Sequence, residues 1–330
     1  MKLSKPIETT VYHVGAAGGV HRSWEGYPGI LNYVCFDPED GAAEELKEIA
    51  DKSSKAERVR MYTEKQPVFN RNGEIDFNIY DVPMLSSVFL LDEQITHRYR
   101  YSTVRHVKTI KMSCATIDDI AFHRGEAPDS LTIDAQGAGL AILEGATKAL
   151  ANSIVSVRVE VEFTPLYRNQ PLFDEVWAFM RSRGFRLVRL EKCGSGETGF
   201  STDAGPFSNA MGDGVPAWAD AIFLKVPAVS DWSTKHIQES AAFLFKFVLF
   251  ALSNRIGSVG LDLVYEVAQH NRLSSVIEAL CGTDRELLMN CLLVQLEQCE
   301  ASTWERQQDR RTTFRLQQQK LRAILKNLLI

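Results

Sequence analysis

At 330 residues, 45% hydrophobic and 24% charged, the chain is long and apolar enough to bury a sizeable core, as one large domain or as a main domain with an appendage. Its formal net charge of -5 lacks the basic excess that a phosphate-tracking protein needs, so nucleic acid is set aside as a partner. The six cysteines (Cys35, Cys114, Cys193, Cys281, Cys291 and Cys299) form no C-x-x-C pair and no Cys/His cluster of zinc spacing, and read as reduced thiols rather than a disulfide frame or metal site.

The opening MKLSKPIETT has no apolar core of the kind a signal peptide carries, which predicts a cytoplasmic protein. Short β-rich runs then alternate with helical ones over about two thirds of the chain, the pattern of βα units around a mainly parallel, doubly wound sheet. The predicted strands are TVYHV, NYVCF, ERVRMY, the second half of VRHVKTIKM, SLTID, VSVRVEVEF, FRLVRL and AIFLKV. Between them AAEELKEIAD, LAILEGATKAL and LFDEVWAFMRSRG read as helices, the last ending in Gly184 placed as a C-cap. The glycine-rich run from Cys193 to Gly214 reads as a long loop before the last strand, either an active-site cover or a surface loop.

The division falls between 1–228, an α/β domain, and 229–330, an all-helical C-terminal region, because strand signals end there and apolar residues recur every three or four positions. The run AAFLFKFVLFAL is too short to span a bilayer and carries Lys246, so it reads as a buried helix, and no membrane span is expected. Thr283 to Glu286 has the form of a capping box. In LQQQKLRAILKNLLI the stripe of Leu316, Leu321, Ile324, Leu325 and Leu328 packs either on its own domain or on a second copy in a homodimer.

Candidate chemistry begins at VYHVGAAGG. A strand that breaks into glycine lets a ligand approach the backbone, but Gly15 is followed by Ala17 where the dinucleotide fingerprint requires glycine. The spacing that fits is acid-x-G-x-small-x-G, with His13, Gly15, Ala17 and Gly19, and Asp37 ends the second strand where an acid would accept from ribose hydroxyls. These residues predict a nucleoside-type cofactor site. Together with SSVF at Ser86, TIDDIAF at Thr116, SLTIDAQGAGLAILEGA at Ser130 and VEVEFTPLYRNQPLFDEVWAFMRSRGFRL at Val159, over about residues 10 to 190, the sequence resembles the FkbM-type methyltransferases. That resemblance implies a Rossmann-like fold, S-adenosyl-L-methionine as cofactor, and methyl transfer, with O-methylation of a hydroxyl on a carbohydrate or secondary metabolite as the expected reaction. The chain departs from the family pattern at three places: His13 stands for an acid, Thr132 for a lysine, and Gly139 for a glutamate. An alternative is therefore a catalytically lapsed fold serving as a binding or assembly module.

For the catalytic role the candidates are Asp134 first, at the carboxyl end of SLTID, then Gln136 and Glu160. The competing structural readings are a helix N-cap for Asp134 and a loop tether for Glu160. Tyr167 lines the acceptor side by resemblance, or packs in its Pro-Leu-Tyr turn. The segment THRYRYSTVRHVKTIKM brings Arg98, Arg100 and His106 together with tyrosines. It reads as a solvated basic stretch, as a lip that attracts an anionic small-molecule acceptor such as a sugar bearing a phosphate or uronic acid, or, least well, as a nucleic-acid contact; the resemblance places it beside the acceptor. No metal-ligand spacing is present, and Asp118-Asp119 reads as a turn-orienting pair.

Overall fold

The computed structural model describes residues 3–16, 19–24, 26–38, 58–93, 103–196, 215–227, 236–302 and 311–328. They divide into two compact units. The first comprises Thr10–Gly19 and Asn32–Val226; the second comprises Met1–Thr9, Val20–Leu31 and Pro227–Ile330.

The α/β unit is built on strands β1 (Glu8–Val14), β2 (Ile30–Phe36), β3 (Val59–Glu64), β4 (Gly73–Tyr80), β5 (His106–Cys114), β6 (Ser130–Ile133), β7 (Ser156–Glu162), β8 (Phe185–Gly196) and β9 (Val215–Lys225). Seven of them form one sheet in the order β3-β2-β1-β6-β7-β9-β8, and β4 and β5 form a separate antiparallel pair. β1, β6 and β7 run parallel, with Val14 beside Ile133 and Ile133 beside Val159; β9 runs antiparallel to both β7 and β8. The chain winds outward from β1 to β3, then returns to lay β6 against β1. That reversal is the switch point at which open α/β sheets leave a crevice beyond the carboxyl ends of the strands.

Side-chain alternation divides the sheet chemically. Tyr12, Val14, Leu131, Ile133, Val157 and Val159 share one apolar face, which buries against helices α1 (Ile117–Arg124), α2 (Gly139–Glu144), α3 (Thr147–Asn152) and α4 (Phe173–Ser182) through Ile117, Ile142, Leu150 and Met180. The opposite face carries His13, Thr132 and Arg158 at one level of the register, all buried. Buried polar groups require partners. Tyr33 Oη lies 2.9 Å from His13 Nδ1, the Ser130 and Ser156 hydroxyls lie 2.7 Å apart, and the Arg158 guanidinium donates to Asp220 at 3.3 Å and Glu191 at 3.0 Å.

Helix α4 matches its sequence signal, whereas α1 is not among the predicted helices. Thr116 caps α1 by accepting from Asp119 N–H at 3.0 Å, Asp118 accepts from the N–H groups of Lys148 and Ala149 at the start of α3, and Gly184 takes φ +78 just past α4. Other expectations are corrected. EIDFNIY, absent from the predicted strands, is β4, and its alternation of Ile75, Phe77 and Ile79 with polar residues is a plain strand signal. β5 spans HVKTIKMSC, longer than the predicted second half of VRHVKTIKM. The segment LAILEGATKAL is two helices, and the strand β8 extends through Gly196 into the predicted loop, of which 197–214 lie outside the described residues, as does all of AAEELKEIAD.

The second unit is helical: α5 (Ile237–Ser253), α6 (Gly257–Gln269), α7 (Leu273–Glu278), α8 (Gly282–Ser302) and α9 (Arg311–Asn327). Its N-terminal segments are tied in by Leu3 N–H donating to Ala279 O at 2.8 Å, Ile7 N–H donating to Asp284 at 2.7 Å, and Trp24 packing 5.3 Å from the Phe250 ring. α5 is the buried helix that AAFLFKFVLFAL predicts. The capping box is not used: α8 starts at Gly282 and Arg285 N–H already donates to Cys281 O, which places Thr283 inside the helix. Leu321, Leu325 and Leu328 of the C-terminal stripe are buried within the chain itself, and Arg322 pairs with Glu297 of α8 at 3.6 Å. Among the described residues no helix is long and apolar enough to cross a membrane.

Candidate cofactor and active site

Past the carboxyl end of β1 the backbone turns at Gly15, φ +75, and the N–H groups of Gly15 and Ala16 both donate to Phe36 O of β2, at 2.9 and 3.3 Å. Asp134 N–H, at the end of β6, donates to Val14 O at 2.9 Å. A Cβ at position 15 would stand 1.6 Å from the Asp134 carbonyl oxygen, so only glycine lets the two loops meet. A cavity of about 520 Å³ opens here, lined by Gly15, Asp37, Asp134 and Gln136 among polar groups and walled by Phe36 and Phe77. It lies in the size range of small-molecule sites, about 300–1,000 Å³.

Asp37 follows β2 directly, is 6% exposed, and is positioned by its N–H donating to Glu64 O at 3.2 Å. Gly19, φ +88, closes the β1 turn by donating to Ala16 O at 2.9 Å and does not line the cavity; Ala17 lies outside the described residues. His13 is 4% exposed, on the sheet face opposite Val14, and does not line the cavity either. The β4–β5 pair, which supplies Ile75 and Phe77 to the cavity wall, and the turn carrying Met84 and Ser86 were not among the candidates drawn from the sequence.

The catalytic candidates come together at the ends of β6 and β7. The Gln136 side chain donates through Nε2 to Asp134 Oδ1 at 3.0 Å and to Glu160 Oε2 at 3.2 Å. Its backbone sits at φ +46, an uncommon left-handed position for a residue with a side chain, and is held there by Ser87 Oγ donating to Gln136 O at 2.7 Å. The Tyr167 hydroxyl, buried, lies 3.2 Å from Gln136 Oε1 and 3.1 Å from Leu85 O. Gln170 fixes that tyrosine's turn by accepting from Leu166 and Tyr167 N–H at 2.8 and 2.9 Å. Asp134 is not a helix cap: α2 begins at Gly139 with Ala138 at its N-cap, leaving the Asp134 carboxylate exposed to the cavity.

The electrostatics are lopsided. Burial, reinforced by Asp134 and Glu162, pushes the Glu160 carboxyl up to about 10. Burial likewise pushes Glu162 up to about 8, against a lowering contribution from Gln170. Arg158, two residues before Glu160, is engaged by Asp220 and Glu191. Of the acceptor-side candidates, His106 is exposed, with Nε2 3.0 Å from Thr109 Oγ1 and its ring 5.5 Å from that of Tyr80, and is not part of the cavity wall; Arg98 and Arg100 lie outside the described residues.

Residues 49–187, which span β3 to β7 and contain Asp134, Gln136, Glu160 and Tyr167, match the model of the methyltransferase FkbM domain. Over these residues the chain is similar to FkbM methyltransferase domains. S-adenosylmethionine is the cofactor of such a domain, and the residues present fit it: Asp37 supplies an acceptor for ribose hydroxyls, the cavity wall is apolar, and Asp134 supplies negative charge for a cationic ligand. Among solved structures, methyltransferase FkbM from Methylobacillus flagellatus KT is similar at 12% identity and a TM-score of 0.36, over 67% of this chain and 45% of its own length. The present chain thus spans less than half of that relative. Magnesium protoporphyrin IX methyltransferase from Synechocystis PCC 6803, with bound S-adenosylmethionine, is similar at 9% identity and a TM-score of 0.33, over 66% of this chain and 69% of its own. The M1A22 tRNA methyltransferase of B. subtilis is similar at 10% identity and a TM-score of 0.28, over 87% and 91%. No curated protein matches the sequence.

Proposed function

We propose that the protein is an S-adenosylmethionine-dependent O-methyltransferase acting on a hydroxyl of a carbohydrate or secondary metabolite, with the helical region 229–330 as an accessory element. The observation that carries this reading is the opening of Asp134 and Gln136 into the same cavity that Gly15 and Asp37 line. The cofactor supplies a methyl group on a sulfonium, whose displacement is in-line. The chain's own task is to align an acceptor oxygen, a positioning effect of about 7–11 kcal/mol, against about 3–5 kcal/mol for a general base. Alignment is therefore the larger share. Gly15 and Asp37 hold the cofactor; Asp134, exposed to the cavity, takes the acceptor hydroxyl's proton on its carboxylate; Gln136, pinned by Ser87 and Tyr167, keeps that carboxylate in place. The basic segment with Arg98, Arg100 and His106 draws in an anionic acceptor.

One observation favours a second reading, a lapsed module. At Gly139, where the family has glutamate, a Cβ would stand 2.8 Å from Val159 Cγ2, so the packing of α2 on β7 leaves no room for the family's side chain without a shift. Calorimetric titration of S-adenosylmethionine and S-adenosylhomocysteine, with Asp37→Ala as control, decides between them. Binding lost in the variant, followed by turnover in a screen of sugar and metabolite hydroxyls, is the expected result. Absence of binding at millimolar ligand would favour the module.

A further inference from the structure

The cavity has two ends. Asp37, Gln66 and Pro67 line one, where the Asp37 N–H is anchored on Glu64 of β3; Asp134, Gln136, Met84 and Ser86 line the other, where Ser87 Oγ donates to Gln136 O. β4 contributes the wall between them. Strand alternation turns Ile75 and Phe77 to the cavity, with Met112 and Ile110 of β5 opposite them in the register. Asp76 and Asn78 take the other face, where Lys111 donates to Asp76 at 3.2 Å and Thr109 Oγ1 to Asn78 at 2.8 Å.

At the second end the polar side chains are already engaged. Gln136 Nε2 donates to Asp134 and Glu160, its Oε1 lies 3.2 Å from the Tyr167 hydroxyl, and Ser86 Oγ accepts from Tyr80 N–H at 3.3 Å. Among the described residues, none that lines the cavity is Lys, Arg or His. A sugar ring, with a hydroxyl on nearly every carbon, would leave most of them unpaired against Phe77, Met84 and Val88, and burying a polar group without a partner is costly. Met84 adds to the contrast. It stands in the turn Pro83–Leu85 and lines the cavity, yet it is 80% exposed. The turn is braced: Leu85 N–H donates to Val82 O at 2.9 Å, Ser86 N–H donates to Pro83 O at 2.8 Å, and the Tyr167 hydroxyl lies 3.1 Å from Leu85 O. A fixed backbone thus holds an unbranched, adaptable apolar side chain at the mouth of the cavity.

We propose that the acceptor's reacting hydroxyl is borne on an uncharged apolar framework, aryl or alkyl, rather than on a sugar ring, and that Met84 selects this framework at the mouth. The inference rests on the methyltransferase reading above and chooses between its two acceptor classes. An acidic group drawn in by the basic segment is then carried outside the cavity.

The test is calorimetric titration of the full-length protein, saturated with S-adenosylhomocysteine, with 4-alkylphenols from methyl to butyl and with the methyl glycosides of glucose and glucuronic acid. It is run on the native chain and on Met84→Gln. Affinity of the native protein for the phenols should rise at least about twofold with each methylene, where complete burial gives about fourfold, and both glycosides should bind more weakly than butylphenol. In Met84→Gln, a change of similar length at an exposed position, the gain per methylene should shrink while the Kd for S-adenosylhomocysteine is unchanged. A flat series in the native protein, or a glycoside that binds more tightly than butylphenol, would overturn the acceptor class. A gain per methylene that survives intact in Met84→Gln would overturn the role of Met84. Failure of S-adenosylhomocysteine to bind at all would instead remove the methyltransferase reading, and this inference with it.

Discussion

Gly15 and Asp134 meet so closely that a Cβ on the first would stand 1.6 Å from the carbonyl oxygen of the second. The contact joins the loops after β1 and β6 at the switch point and thereby fixes two walls of the cavity with one residue. Gly15→Ala combines this clash with a left-handed backbone, φ +75. It should cost at least about 2 kcal/mol of stability, read from urea denaturation, and donor affinity should fall with it.

Asp37 is buried at the cavity edge, with its backbone anchored to Glu64. Asp37→Asn keeps the shape and removes the charge. Loss of a charge-assisted hydrogen bond costs about 1.5–3 kcal/mol, about ten- to a hundredfold in Kd for S-adenosylmethionine. Melting temperature should change little, which separates the effect from misfolding.

In the proposed reading Tyr167 acts at one remove from the acceptor. Its hydroxyl stands between Leu85 O and Gln136 Oε1, so Tyr167→Phe frees the amide that holds Asp134 and Glu160. A stability loss of about 1 kcal/mol is expected, together with a lower kcat and an unchanged donor Kd in steady-state kinetics and calorimetry.

Stability of the ligand-free protein should depend on pH in a direction set by the raised acids. A carboxyl whose pKa rises on folding favours the folded state below its unfolded value, 4.5, and that advantage is lost as pH climbs through the folded value. For Glu162 the loss runs from 4.5 to about 8, and for Glu160 it continues to about 10. Glu162→Gln and Glu160→Gln should each melt higher than the native chain at alkaline pH and should flatten the slope of melting temperature against pH.

Reversal of charge at Arg98 and Arg100, to glutamate, should raise the acceptor KM and leave cofactor affinity alone. Once an acceptor is found, unchanged acceptor kinetics in the double variant would remove the basic segment from the site.

Much of the α/β unit could be read locally, because alternation and punctuation are properties of neighbouring residues. The strand in VYHVGAAGG that breaks at Gly15, the acid Asp37 after NYVCF and Gly184 past α4 each depend on a few consecutive positions. The sequence by itself determined the mainly parallel sheet, the helical C-terminal region and two residues of the cavity lining, Gly15 and Asp37, for that reason. Only tertiary structure decided the rest. Thr283 has the spacing of a cap, yet the helix begins one residue earlier. His13 falls in the ligand motif, yet strand alternation turns it to the face opposite the apolar core, beside Tyr33. Gln136 links carboxyls from two strands whose residues lie 26 apart in the chain, and its left-handed backbone is held by Ser87 from a third segment. The acidic charges that raise the Glu160 pKa alongside burial follow from strand order, because β9 inserted beside β7 brings Asp220 to its side. Electrostatic fields sum over space rather than along the chain, so this part of the site could not be read from residue spacing.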